Sequence, residues 1–483
     1  MPRAWPDAKS IRIRHRGTDR SKVTRRAGKA RPALANASFR MDHFISILRG
    51  LLGYAALIGI AVALSYNRRA ISWRVVGAGI ALQFIFASLV LFVPPVRGVV
   101  EWVGGRFVDL MGFTNEGVRF VFGSLADSDR HGLVFAIGIL PSIIFFSAFT
   151  SMLYYLGILQ KVVYGFAWVI SRFMPLSGAE TLSASANIFL GQTEAPFLIK
   201  PFLPTMTRSE IFTIMVGGMA TIAGAVMLAY ISILGGSSDA EKILFATHLI
   251  TASVINAPAG LMISKIILPQ TEQISTDLNV SSEKIGSNLV DAVCNGTTDG
   301  LKLAVNVGAM LITFTALIAL FNAIFGWIGA SHTLTIAGSD LFTWPGFNST
   351  IERLTDGAYT TFSLEFLLGL IYAPIAWLLG IEYGQLLQSG QLLGIRTVLN
   401  EFVSFMQLGQ MKADGVITDQ RTIIILTYAM CGFANIVSIG IQIGGIGTLA
   451  PNQRANLASL GVKAVIGGTL ASYLSACIAG MLV

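Results

Sequence analysis

Gln192, Thr193 and Glu194 set an amide, a hydroxyl and a carboxylate side by side within Asn187-Ile-Phe-Leu-Gly-Gln192-Thr193-Glu194-Ala-Pro196-Phe-Leu-Ile-Lys200, between apolar stretches too short to cross a bilayer. A charged side chain at mid-membrane depth costs about 2.5–3.5 kcal/mol on insertion scales, so an acid placed there is expected to line a cavity and act in it. A second acid, Glu401, follows Asn400 between two further half-length apolar arms. Two more polar interruptions, at 217–224 and 433–438, fall inside otherwise apolar spans. Broken helices at such depth offer carbonyls and C-terminal ends to cations, and N-terminal ends with amide or acidic side chains to polar solutes. Asn187, the carbonyl of Leu190, Thr221 and the carbonyl of Ile222 together would surround a small hard cation with oxygens, a set that suits sodium.

The chain that must position these groups is 483 residues long, 53% hydrophobic and only 12% charged, with a mean hydropathy of +0.67. Average soluble proteins carry roughly 25% charged residues, so this composition excludes an ordinary soluble enzyme or nucleic-acid binder and indicates an all-α polytopic membrane protein. The net charge of +8 comes from the N-terminus: residues 1–40 carry +10, leaving −2 for the rest. That segment lacks the apolar core of a signal peptide and is expected to be a disordered basic leader. Three cysteines far apart form no metal or redox spacing, and the scattered histidines form no paired site.

Apolar runs of about 20 residues cross the hydrocarbon core as helices. They predict eight spans, at 50–66, 75–95, 133–157, 209–234, 243–268, 301–328, 419–446 and 457–482. Residues 99–125 alternate charges with apolar residues, as in an amphipathic helix lying at the membrane surface. The segments 159–206 and 364–412 are instead predicted to form re-entrant hairpins, with Gly191 allowing the tight tip of the first and each arm about half a bilayer long.

The two hairpin regions read as copies of each other. Ala167-Trp168 matches Ala376-Trp377, the acidic tips follow 26 and 24 residues later, and Gly218-Met-Ala-Thr-Ile222 matches Gly432-Phe-Ala-Asn-Ile436 at an offset of 214. Three spans separate the copies, so the repeat is inverted and the hairpins enter from opposite faces.

Three stretches, Gly191-Gln-Thr-Glu-Ala-Pro196, Gly394-Ile-Arg-Thr-Val-Leu-Asn400-Glu-Phe-Val-Ser-Phe405 and Cys431-Gly-Phe-Ala-Asn435-Ile-Val-Ser438, resemble the signatures of the concentrative nucleoside transporter family. The similarity spans about 41–483 and implies the bacterial eight-span, elevator-type fold, assembled as a homotrimer in the cytoplasmic membrane. It implies that Gln192, Thr193 and Glu194, with Val226 behind them, contact the nucleobase. Glu401, Asn435 and Ser438 would hold the ribose hydroxyls, with Phe433 packing nearby. The sodium ligands would be Asn187, Leu190, Thr221 and Ile222. The family usually carries Lys where Arg396 stands and Ala where Ser404 stands. The domains expected on this basis are a leader at 1–40, scaffold spans at 41–158 and 301–330, and a moving body at 159–270 and 364–483.

The residues alone favour a polyhydroxylated solute, of which a nucleoside is one. A carboxylate such as Glu401 accepts two charge-assisted hydrogen bonds from vicinal hydroxyls, and a base edge offers donors and acceptors that Gln192 and Glu194 match. Neither tip carries a cation for a phosphate. The expected function is therefore a symporter importing nucleosides such as uridine with sodium; the alternatives are proton coupling, a membrane-embedded enzyme or a passive channel. An enzyme would need a nucleophile or metal cluster that the sequence does not supply.

Overall fold

The computed structural model describes residues 45–131, 134–278, 286–336 and 339–483. The leader expected at 1–40 lies outside the described residues. Of the first 48 residues only 45–48, the first turn of helix α1 (Ile45–Ala63), are described.

Among the described residues, seven helical segments are long and apolar enough to cross a membrane. They are α1, α2 (Trp73–Phe92), Phe135–Tyr155, which contains α4 (Leu140–Tyr155), Arg208–Gly235, α9 (Asp239–Ile267), α10 (Leu289–Gly329) and Pro451–Leu482, most of which is α16 (Arg454–Leu482). The eighth expected span, 419–446, is two helices, α14 (Gln420–Met430) and α15 (Ile436–Leu449). The Arg208–Gly235 span is broken as well, into α7 (Arg208–Ala220) and α8 (Gly224–Gly235). Helix α3 (Pro94–Phe122) is not among the spanning segments and exposes Val99, Trp102, Phe113 and Phe120, as expected of an interfacial helix.

The first hairpin follows α5 (Ile158–Phe173) and opens with α6 (Gly178–Ala186), which Ser177 and Glu180 start with a reciprocal capping box. Its second arm departs from expectation. In place of a half-length α-helix it forms 3-10 turns at Ala195–Ile199 and Leu203–Thr205. Pro196 sits at the start of the first of these turns, where its missing N–H costs nothing, whereas Pro204 would fall inside an α-helix continuing from Ala195 and has no N–H to give its ladder. The second hairpin is helical on both sides: α11 (Leu364–Leu378) leads to α12 (Leu386–Val398), and α13 (Glu401–Ala413) starts at Asn400, whose side chain accepts from the Val403 N–H.

Burial separates the spans into two kinds. The apolar window of Arg208–Gly235 is wholly buried, whereas that of α10 is only 11% buried. The core therefore lies around α7, α8, α9 and α16, and α10 turns Leu301, Val305, Ile312 and Leu320 outward. Helix α10 approaches α4 closely, because a Cβ at Gly296 would meet the Ala148 Cα at 2.8 Å and one at Gly300 the Ile144 Cα at 2.8 Å. Close backbone approach through glycines is a common means of helix packing in lipid. Helices α1 and α2 pack elsewhere: Gly53 abuts the Leu378 carbonyl and Gly79 abuts Met262. Both partners belong to the segments expected to form the moving body, whereas the sequence places α1 and α2 in the scaffold.

A buried ion pair closes the foot of the first hairpin. Lys265, at the end of α9, meets Glu180 of α6, with side-chain exposures of 3% and 0%. Lys265 Nζ also donates to Ser209 Oγ at 2.9 Å, and Glu180 Oε2 accepts from the Ser177 N–H at 3.0 Å.

Candidate functional site

A cavity of ≈ 250 Å³ lies where both hairpin tips and both broken spans converge. Gln192, Thr193, Glu194, Val226, Glu401, Phe433, Asn435 and Ser438 all line it. It is smaller than the roughly 300–1,000 Å³ typical of drug-sized ligands and suits one compact polar solute. No Lys or Arg is among its lining residues, so nothing there would neutralise a phosphate. A second cavity, of ≈ 800 Å³, lies between α3, α4 and α10, but Thr114 and Thr297 are its only polar side chains. Both of those hydroxyls donate to carbonyls of their own helices, so that space has two hydroxyl acceptors, no amide or carboxylate, and otherwise apolar walls.

The position of each polar group follows from the helix ends. At the first tip, the N–H groups of Glu194 and Ala195 both donate to the Gly191 carbonyl, and the Glu194 carboxylate folds back over Gly191. A Cβ at residue 191 would come within 2.2 Å of Glu194 Oε2, so a larger residue there would push the carboxylate off the tip. Gln192 crosses to the second repeat, where its Nε2 donates to Ser438 Oγ at 3.1 Å and its Oε1 accepts from Gln442 Nε2 at 3.0 Å. Gln442 is itself anchored by donating to the Met215 carbonyl.

At the second tip Glu401 opens α13 and is 5% exposed. Its Oε2 accepts from Asn435 Nδ2 at 2.9 Å and its Oε1 from the Tyr230 hydroxyl at 3.1 Å. The other end of Asn435 caps α15 by accepting from the Ser438 N–H at 2.9 Å. Each carboxylate oxygen has a further lone pair, so two hydroxyls can be accepted without displacing either partner. Tyr230 is held flat by stacking on Phe405, with ring centroids 4.1 Å apart.

The four oxygen donors expected for a cation lie behind the first tip. Asn187, Leu190, Thr221 and Ile222 are all buried. The Gly224 N–H donates to the Phe189 carbonyl at 3.0 Å, which ties the α7–α8 break to the tip. Asn187 Oδ1 is buried and accepts no hydrogen bond, and Thr221 Oγ1 donates to the Gly217 carbonyl, leaving its own lone pairs open. A buried amide oxygen without a partner and a hydroxyl with open lone pairs are the kind of neutral oxygens that suit a hard cation.

The two positions that depart from the family pattern also have defined contacts. Arg396 is fully buried, donates to the Gly432 carbonyl and to Ser472 Oγ at 2.9 Å, and lies over the Tyr473 ring. Ser404 Oγ donates to the Leu392 carbonyl at 2.7 Å, bracing α13 against α12. Tyr230, Gln442 and Asn306 belong to the site, or hold it, without standing out in the sequence. The signal for the first two is a lone polar group within an apolar span.

Comparison with known proteins decides the family. Residues 248–480 match "Na+ dependent nucleoside transporter C-terminus", residues 52–125 match the corresponding N-terminus, and residues 136–237 match a "Nucleoside recognition" gate. The chain belongs to the concentrative nucleoside transporter family. An uncharacterized transporter of Haemophilus influenzae is 41% identical over 91% of this chain and 98% of its own length. The nucleoside permease NupC of Helicobacter pylori is 38% identical over 91% and 98%. Sodium/nucleoside cotransporter 1 of Rattus norvegicus is 36% identical over 89% of this chain and 63% of its own length. Among solved structures, CNTnw in an inward-facing substrate-bound state superposes with a TM-score of 0.79 at 35% identity, covering 90% of this chain and 99% of that one. A substituted form of CNTnw in an outward-facing state gives 0.77 at 33% identity, covering 90% and 97%. This concentrative nucleoside transporter is thus a multi-pass protein of the cytoplasmic membrane and not an enzyme.

Proposed function

We propose that the chain is a sodium-coupled symporter that imports nucleosides such as uridine. The observation that carries this reading is the convergence of both hairpin tips and both broken spans on one cavity lined by neither Lys nor Arg, with an orphaned oxygen on Asn187 in the arm that leads to the first tip. Gln192, Thr193 and Glu194, backed by Val226, would read the base. Glu401, Asn435 and Ser438 would hold the ribose, with Phe433 closing over it. Asn187, Thr221 and the carbonyls of Leu190 and Ile222 would hold sodium, ordering the 187–193 segment and raising affinity for the solute.

Movement would follow elevator geometry. Segments 159–270 and 364–483 form the moving body, and the packing of α1 and α2 on Leu378 and Met262 favours including both in it. Helices α4 and α10, locked at Gly296 and Gly300, remain as the scaffold, and the outward apolar face of α10 supplies the contact for a homotrimer.

Uptake of radiolabelled uridine into proteoliposomes tests the reading. Accumulation above equilibrium is expected only with an inward sodium gradient. Accumulation driven by a proton gradient at zero sodium would instead assign a proton-coupled symporter, and downhill equilibration alone would assign a passive channel.

A further inference from the structure

The two broken spans touch, and one side chain on a third span holds them both. Helix α7 ends at Ala220 and α14 at Met430, and the terminal carbonyls of a helix need donors. Asn256 of α9, fully buried, supplies them: its Nδ2 donates to the Ala220 carbonyl at 2.8 Å and to the Cys431 carbonyl at 2.8 Å. Both acceptors are carbonyls, so only the amide nitrogen can face them, and the chemistry fixes the orientation of the side chain. Its Oδ1 is left buried without a partner.

The placement of Asn256 belongs to a stripe along α9. Leu249, Ser253, Asn256 and Gly260 recur at helical spacing on one face. Cys431 Sγ contacts the Leu249 carbonyl and Ser253 Oγ, and a Cβ on Gly260 would lie 3.5 Å from Ala220 and Gly217 atoms. The breaks also bond directly, the Phe433 N–H donating to the Thr221 carbonyl at 3.2 Å. A Cβ on Gly432 would meet the carbonyls of Met219 and Ala220 at 2.8 Å, so the contact tolerates nothing larger than glycine without a shift.

We infer that Asn256 is a positioning residue that couples the ion to the nucleoside. It touches neither. Thr221 follows one of its acceptors and belongs to the cation set, while Phe433 and Asn435 follow the other and line the solute cavity. One amide joined to both chain ends transmits a movement of the 221–223 turn to the 431–435 turn, and the coupling acts equally in the reverse direction. The inference rests on the sodium-symport reading given above. Polar residues in membranes also serve simply to hold helices together, and that role would change stability without changing the dependence of one ligand on the other.

The test is the ratio of uridine Kd without sodium to uridine Kd at saturating sodium, measured on the purified full-length protein. The wild-type ratio is expected in the range of about 5–150, the usual span of coupling between sites. Asn256→Ser and Asn256→Leu are expected to bring it close to unity, while Ser264→Ala, on the same helix but bonded to Thr213, keeps the wild-type value. A wild-type ratio in the folded Asn256 variants overturns the inference. Gly432→Ala separates the same two breaks from the other side; if the Asn256 variants do not fold, a wild-type ratio in Gly432→Ala overturns it in their place. A wild-type protein whose Kd ignores sodium sinks the sodium reading itself, and the inference with it.

Discussion

The Tyr230 hydroxyl donates to Glu401 Oε1 at 3.1 Å, joining α8 of the first repeat to the hairpin tip of the second across 171 positions of sequence. With Asn435 on Oε2, this contact fixes the carboxylate so that its remaining lone pairs face the cavity. A hydrogen bond to a charged group contributes about 1.5–3 kcal/mol. Glu401→Gln is therefore expected to weaken uridine binding by about 10–100-fold, as read by calorimetric titration, in a protein that still folds. Undiminished affinity would remove Glu401 from the ribose side.

Gln442 does not line the cavity and acts through Gln192, which it holds at 3.0 Å. Gln442→Leu keeps much of the volume and removes that bond, which is worth about 0.5–1.5 kcal/mol. The expected outcome is a rise in uridine KM of roughly 2–10-fold with the maximal rate little changed. A fall in the maximal rate at unchanged KM would contradict a role in ground-state binding.

Thr221→Ala removes one oxygen from the proposed cation set while leaving the Thr221 carbonyl that Phe433 uses. The concentration of sodium giving half-maximal uridine uptake should rise, with uptake at saturating sodium largely restored. A sodium titration superimposable on the wild type would exclude the hydroxyl as a ligand.

Lys265→Met strands Glu180 as a lone buried charge at the foot of the first hairpin. Breaking such a pair from one side typically costs about 3–5 kcal/mol, whereas replacing both partners by neutral groups is often close to neutral. Thermal denaturation in detergent should show a large loss for Lys265→Met. Adding Glu180→Gln to it should restore much of that loss, because the new amide oxygen can still accept from the Ser177 N–H. Equal losses in the single and double variants would show that the pair is not a unit.

The tips and the broken spans are legible in the sequence because lipid makes polarity expensive: Gln192, Glu194, Glu401 and Asn435 stand out against apolar neighbours, and the repeat pairs Glu194 with Glu401 and Thr221 with Asn435. Tyr230, Gln442 and Asn256 carry the same local signal, yet their partners lie 171, 250 and 36 or 175 positions away, and only the packed fold brings them together. The second arm of the first hairpin departs from expectation because its apolar content matches a short helix while Pro204 stops an α-helical ladder from running the length of the arm. The offset of 214 aligns the two repeats, but the breaks themselves begin at Thr221 and Cys431, which the alignment does not pair. Where a helix stops depends on which carbonyls find other donors, and here one of those donors is Asn256 on another span.

An importer that has delivered its cargo must come back without it, and Gln192 bears on how readily it can. Several polar groups around the cavity already pair with one another: Gln192 with Ser438 and Gln442, and Glu401, through one lone pair on each oxygen, with Tyr230 and Asn435. Asn187 Oδ1 has no such partner. On the sodium-symport reading proposed above, the solute side makes the return stroke with Gln192 and Asn435 already paired, while the Asn187 oxygen keeps an unmet demand that a fresh ion would meet before the next solute binds.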